Sequence, residues 1–425
     1  MLTPGQEIEL LVEKPAAGGR MIGRHGGQIV FVTGAIPGER VKATINRVER
    51  QLAFATAAAV IESSPDRRAP FSDPLCGGCL YSHITYERQL DMKAAVIQDA
   101  FARLGRIVLP AAVTVAASPE HGYRMRARLH VSGHRTGFYR EGSHVLCDAR
   151  LTGQLIEAGL DAVDAAASWL HAAAIRTSSA EISENLKGDE RVLRLEVSVP
   201  LTASRDALTA LSKIAGVSGV TIASPGGTFE TGATTVADAL ESLTTRRGIT
   251  GRLERHAASF FQANRFLLPD LVNGVLDAVP ADGEVLDLYA GVGLFSVSLA
   301  ATGRRGVTAV EGDRSSGTDL ARNAGQFADA VRVVASSVED HLTRTPAAAA
   351  TVIVDPPRTG TSKQAIEAIA RLAPQRIVYV SCDPPTMARD ARRLLESQYQ
   401  LVSMRAFDLF PNTPHVESLG IFECS

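Results

Sequence analysis

From about residue 249 onward, short apolar segments alternate with stretches of helical periodicity. The segments are GEVLDLYAG (283–291), GVTAVEGD (306–313), VRVVASS (331–337), TVIVDPP (351–357) and RIVYVSCD (376–383). Continuous apolar runs of this length, bounded by glycine or proline, read as strands buried on both faces. Parallel strands of that kind need helical crossovers on both sides of the sheet. Residues 249–425 therefore predict an α/β fold, a Rossmann-like doubly wound sheet. The last segment, LVSMRAFDLFPNTPHVESLGIFE, reads as two strands around a turn at Pro411–Pro414, forming an antiparallel edge.

The N-terminal part has a different grammar. IELLVEK (8–14), QIVFVTGAI (28–36), ERVKATINRV (39–48) and LAFATAAAVIE (52–62) carry strand patterning, punctuated by Gly18-Gly19, Gly26-Gly27 and Pro37-Gly38. Several short strands in so short a stretch predict a small β-barrel over residues 1–62, OB-like and suited to nucleic acid. SSPDRRAPFSDP reads as a linker. Residues 84–105 predict a helix, with Leu90, Met92, Val96, Ile97, Phe101 and Leu104 on one side and Gly105 at its end. Residues 63–248 predict a mixed α/β central region, with helix 84–105 packed on the domain of residues 249–425.

The chain of 425 residues, 45% hydrophobic and 21% charged, has ample material for several cores. No apolar run is long enough to span a bilayer. The opening residues carry Glu7, Glu9 and Glu13, unlike a signal peptide. Five cysteines, an odd number, predict a reducing, cytoplasmic setting rather than a disulfide framework. The net charge of −2 does not advertise a nucleic-acid partner. Locally, however, Arg124, Arg126, Arg128, Arg135, Arg140 and Arg150 outnumber the acids around them. Charge alone favours a solvated strand face there.

Four strand ends carry the chemistry. In DLYAGVGLF (287–295), Gly291 and Gly293 follow a strand and let a nucleotide approach the backbone closely. About twenty residues on, Glu311 ends the next strand, where a carboxylate accepts from ribose hydroxyls. Ser296 replaces the third glycine of a dinucleotide fingerprint, and with the acidic Asp287 this favours S-adenosylmethionine. Asp355 in DPPR ends a further strand, held by paired prolines. Cys382 in SCDPP ends the next, where a reactive thiolate would be placed. Glu417 follows the Pro411–Pro414 turn.

SFFQAN (259–264), DLYAGVGLF (287–295), DPPRTG (355–360), SCDPPTMARD (381–390) and FPNTPHVES (410–418) occur together and in order. This set resembles the RNA uracil-C5 methyltransferase family, which makes 5-methyluridine with S-adenosylmethionine. GRMIGRHGG and FVTGAIPGERVKATI resemble the TRAM domain. The resemblance implies Cys382 as the nucleophile that adds to uracil C6 and Glu417 as the base that removes the C5 proton. It places Gln262, Tyr289, Gly291, Gly293, Glu311 and Asp355 around the cofactor and the target base. It implies a flipped uridine in transfer or ribosomal RNA, RNA contacts from the barrel and the arginine-rich stretch, and a monomer with no membrane association.

Three departures stand out. Asp383 replaces the Asn usual after the cysteine, and a carboxylate there would oppose thiol ionisation. Leu294 is apolar where some relatives have a polar cofactor contact. Of the four cysteines that hold an iron–sulfur cluster in many relatives, only Cys76 and Cys79 match, because Pro70 and Thr152 stand at the other positions. No iron–sulfur cluster is therefore expected, and a zinc site from Cys76, Cys79, Cys147 and His83 is the weaker reading. The alternative activity is RNA cytosine-C5 methylation. It would require a second cysteine after the paired prolines, where Arg358 stands.

Overall fold

The structure, a computed structural model, describes residues 2–198, 200, 208–344 and 349–424. Residues 7–15, 21–25, 28–33, 40–49 and 52–62 close into a five-stranded barrel. Alternation packs Leu10, Val12, Val30, Val32, Val41 and Ala43 inside it. The strand Met21–His25 escapes the sequence reading because it is short and lies between two glycine pairs. SSPDRRAPFSDP is an ordered strap rather than a loose tether. Arg67 in it pairs with the fully buried Glu39 of the barrel, whose carboxyl the neighbouring guanidinium holds below its usual range despite its burial.

Seven strands in the central region form one sheet, covered by the helix Glu157–Ala172. Leu160, Val163, Ala166 and Leu170 of that helix meet Leu129, Ile182, Leu195 and Ile222 of the sheet. The predicted helix 84–105 is α-helical over Tyr86–Ala100 and ends in a π-helical turn, Phe101–Gly105. Its Ile97 and Phe101 pack with Met387, Ala388, Ala391 and Leu394 of the helix Pro384–Glu396.

The C-terminal sheet has eight strands in the order 331–335, 307–311, 285–288, 351–354, 376–381, 417–424, 399–407 and 115–116. The first five are parallel. The strand 417–424 then runs antiparallel to 376–381. Two details differ from the sequence reading. Val115–Ala116, from the central region, lies beside 399–407 and forms the outer edge. The strands Thr235–Ala239 and Arg252–His256 pair across the boundary drawn at 248/249, because backbone pairing there spans the change in sequence pattern. Among the described residues no helix is long and apolar enough to cross a membrane.

Candidate active site

The glycine turn is built from the strand Val285–Leu288 upward. Tyr289, Gly291 and Gly293 all have positive φ, at 60°, 56° and 95°. At Gly293 a Cβ would sit 2.7 Å from Val297, so the helix Leu294–Ala301 can start only on glycine. At Gly291 a Cβ would meet nothing within 4 Å, so the turn opens onto free space. Glu311 braces it: one carboxylate oxygen accepts from the Gly291 N–H at 2.7 Å, the other from the Asp313 N–H at 2.6 Å. The buried Asp287 accepts from the Ser296 N–H at 3.1 Å, while its second oxygen has no partner. Burial, with Asp355 and Glu311 nearby, pushes its carboxyl up to about 7. The buried side chain of Asn323 donates to the Val292 carbonyl at 2.9 Å and ties the turn to the helix Arg314–Ala324. An open glycine turn, a strand-end carboxylate and an unsatisfied buried carboxylate fit the sugar and amino-acid ends of S-adenosylmethionine.

The second half of the site comes from the reversal in the sheet. Ser381 pairs with Ser418, so the next position sets Cys382 beside Glu417. Glu417 is buried, and burial plus repulsion from Asp355 raises its carboxyl well above the ordinary range. Asp355, at the end of the neighbouring strand, is likewise pushed up by burial to about 7, with a hydrogen bond from Gln262 opposing the shift. The Cys382 thiol is pushed up to about 12, chiefly by burial and then by Glu417. Arg358 opposes this by its charge and by a hydrogen bond to the thiol. His415 is held neutral, its pKa lowered to about 4 by burial and by Arg358, Lys93 and Arg124.

The structure thus gathers Gln262, Asp355, Cys382 and Glu417 at one strand edge, next to the turn of Gly291, Gly293 and Glu311. The Tyr289 hydroxyl lies 3.5 Å from Glu339, on the rim. Arg358, which contacts the Cys382 thiol, entered the sequence reading only as the absence of a cysteine. Its signal was a cation three places after a strand-end Asp.

Residues 241–423 match the family profile described as tRNA (Uracil-5-)-methyltransferase, and residues 2–58 match the TRAM domain. A 23S rRNA (uracil(1939)-C(5))-methyltransferase of Alkalilimnicola ehrlichii is 30% identical over 447 aligned positions, covering 99% of this chain and 97% of that one. The enzyme of the same description from Pectobacterium atrosepticum is 31% identical, covering 99% and 94%. The chain belongs to the RNA uracil-C5 methyltransferase family. Its fold is shared with a Pyrococcus abyssi tRNA (uracil-54, C5)-methyltransferase solved with S-adenosyl-L-homocysteine, at a TM-score of 0.75 and 23% identity over 97% of this chain and 99% of that one.

Several features particular to this methyltransferase differ from expectation. The carboxylates that push up the Cys382 thiol, after burial, are Glu417 and Asp355. Asp383 instead caps the helix Pro384–Glu396, accepting from the Thr386 N–H at 2.8 Å. Asp383→Asn keeps that cap and should leave methylation within about twofold of the parent, while Asp383→Ala should cost about 1 kcal/mol in thermal unfolding. Leu294 is buried in the hydrophobic core, in one cluster with Ala290 and Val292 of the turn.

The arginine-rich stretch is largely committed internally. Arg126 pairs with Glu181, Arg128 with Glu196, Arg140 with Asp73, and Arg150 with Glu157, Asp161 and Asp164. Arg124 is partly buried, bonded to Gln154 and lying 5.5 Å from the Phe410 ring centroid. Arg135 is exposed with no ion pair among the described residues, and Arg128 stays exposed within its pair, so the stretch presents paired rather than bare basic side chains.

The cysteines also require a correction. Cys76 and Cys147 form a disulfide, and Cys79 is a separate buried thiol. Counting cysteines missed this because proximity arises from the fold. Gly77 bonds to Tyr139, and Phe138 and Tyr139 pair with Cys147 and Leu146, so the CGGC loop docks on that hairpin. Among the described residues no group of three or more potential ligands is arranged to hold a metal ion. His83, the fourth ligand of the zinc reading, is turned toward the Ala35 carbonyl of the barrel.

Proposed function

We propose that this enzyme methylates C5 of a uridine in ribosomal or transfer RNA, with Cys382 as nucleophile and Glu417 as base, and that it works as a cytoplasmic monomer. The reading is carried by the antiparallel pairing of 376–381 with 417–424, which sets the two residues side by side next to the cofactor turn. The identity with 23S rRNA enzymes along nearly the whole chain favours ribosomal RNA as the first substrate to test.

S-adenosylmethionine supplies an electrophilic methyl group on a sulfonium. Gly291, Gly293, Glu311 and Tyr289 would hold it, with Gln262 and Asp355 beside the cofactor or the target base. Uracil C5 is too weak a nucleophile until the Cys382 thiolate adds to C6, which moves the ring's electrons into an enolate. C5 then takes the methyl and briefly carries both methyl and hydrogen. Glu417 removes that C5 proton; its electrons re-form the C5–C6 double bond and expel the thiolate. A carboxyl whose proton affinity is raised by burial is suited to this abstraction. Arg358, whose charge acts on both the thiol and Glu417, stabilises whichever is anionic at each stage. The base must leave its stack to reach Cys382.

The test is to incubate the purified protein with unmodified ribosomal or transfer RNA and methyl-labelled S-adenosylmethionine, then digest to nucleosides. Label is expected in 5-methyluridine at one mapped position. Label in 5-methylcytidine would overturn the reading in favour of the cytosine-C5 alternative.

A further inference from the structure

Glu417 is reached through residues 408–416, which lie between two strands and have few backbone partners of their own. Side chains from distant parts of the chain hold them. Gln89, fully buried in the helix Tyr86–Ala100, donates to the Asn412 side chain at 2.9 Å and accepts from the Asn412 N–H at 2.9 Å. One turn along the same helix, the buried Lys93 pairs with the buried Asp408 and donates to the Phe410 carbonyl at 3.1 Å. Arg68 reaches the Asn412 side chain at 2.8 Å, and Tyr123 reaches the Pro411 carbonyl at 3.2 Å. Asn412 itself is held at a φ of 63°. The far end of the same helix packs against the helix Pro384–Glu396, which begins two positions after Cys382. One helix therefore indexes both the nucleophile and the base.

Stability does not explain Lys93. Removing two charges from water costs more than an apolar contact of similar volume would. What the pair adds is a fixed register for the segment that ends at Glu417. Resting on the reading of Glu417 as the base, we infer that Gln89 and Lys93 are positioning residues for proton abstraction. Through Asn412, Asp408 and Phe410 they hold Glu417 at the uridine C5.

The inference separates two steps that a loss of folding would slow together. Gln89→Met and the double variant Lys93→Met with Asp408→Leu, which replaces the ion pair by an apolar one, are assayed in single turnovers on RNA. Methyl transfer should change by less than about threefold, while release of the covalent RNA adduct slows by about tenfold or more, the scale of a misplaced general base. The adduct should accumulate as a shifted band on a denaturing gel, with S-adenosylmethionine affinity and thermal midpoint close to the parent. Should either core variant fold poorly, Asn412→Gly removes the side-chain bonds from Gln89 and Arg68, leaves the Lys93 contacts in place and suits the positive φ. Unchanged adduct release in the folded variants, or equal slowing of both steps, would overturn the inference. Glu417→Gln run in parallel distinguishes the cases: if it traps RNA and the network variants do not, only the positioning role fails; if it does not trap, the base assignment fails with it.

Discussion

Cys382→Ala should abolish methylation, by at least about 10⁴-fold, while S-adenosylmethionine and RNA still bind. Without the thiolate, C5 is never made nucleophilic, and no other side chain at the strand edge can add to C6. Asp355, Glu417 and Arg358 surround the thiol but are not soft nucleophiles. Burial and the carboxylate of Glu417 push the thiol up to about 12, so the free protein holds almost no thiolate at neutral pH. In the parent, the single-turnover rate should therefore climb as pH rises, by up to about tenfold per unit while deprotonation limits adduct formation. A Cys382→Ala protein that still methylates, or a parent rate that falls with rising pH, would remove Cys382 from the reaction. Calorimetric titration with S-adenosylmethionine checks that the binding site survives the change.

Glu417→Gln should fail in the opposite way. Attack by Cys382 and methyl transfer need no base at C5, so the first half of the reaction proceeds. The amide cannot accept the C5 proton, so the thiolate cannot leave. Turnover should fall by about 10²–10⁴-fold, the usual contribution of a general base. Enzyme and methylated RNA should remain joined, seen as a heat-stable shifted band carrying the labelled methyl. The substitution also removes a buried carboxyl that repels the thiol and Asp355. Adduct formation should accordingly be no slower than in the parent. A Glu417→Gln protein that turns over normally, or that neither methylates nor traps RNA while binding both substrates, would exclude Glu417 as the base.

Much of this was legible without coordinates. The apolar runs ending in Asp287, Glu311, Asp355 and Cys382 announced a parallel sheet with its chemistry at one edge, because strands buried on both faces have a pattern that few other elements share. The glycine pairs announced turns, and the positive φ at Gly291 and Gly293 is the physical reason they are glycine. Local capping was only half legible. Asp383 read as a rival charge beside the nucleophile, yet its side chain turns back onto Thr386, a choice made by the helix that starts there.

What the order of residues could not decide is which groups meet. The arginines between 124 and 150 look like an RNA-facing patch in one dimension, and Glu181, Glu196, Asp73 and Asp164 reach them from elsewhere in the fold. Cys76 and Cys147 lie 71 positions apart and join because a loop docks on a hairpin. Gln89 and Lys93, absent from the apolar periodicity of their helix, are covered by residues 408–412, more than 300 positions away. Strand and helix periodicity are written in neighbouring residues, because backbone geometry repeats over a few positions. Burial, pairing and the proton affinity of a carboxyl or thiol depend on what packs against them from afar, and only the assembled sheet brings Cys382, Glu417, Asp355 and Arg358 into one electrostatic unit.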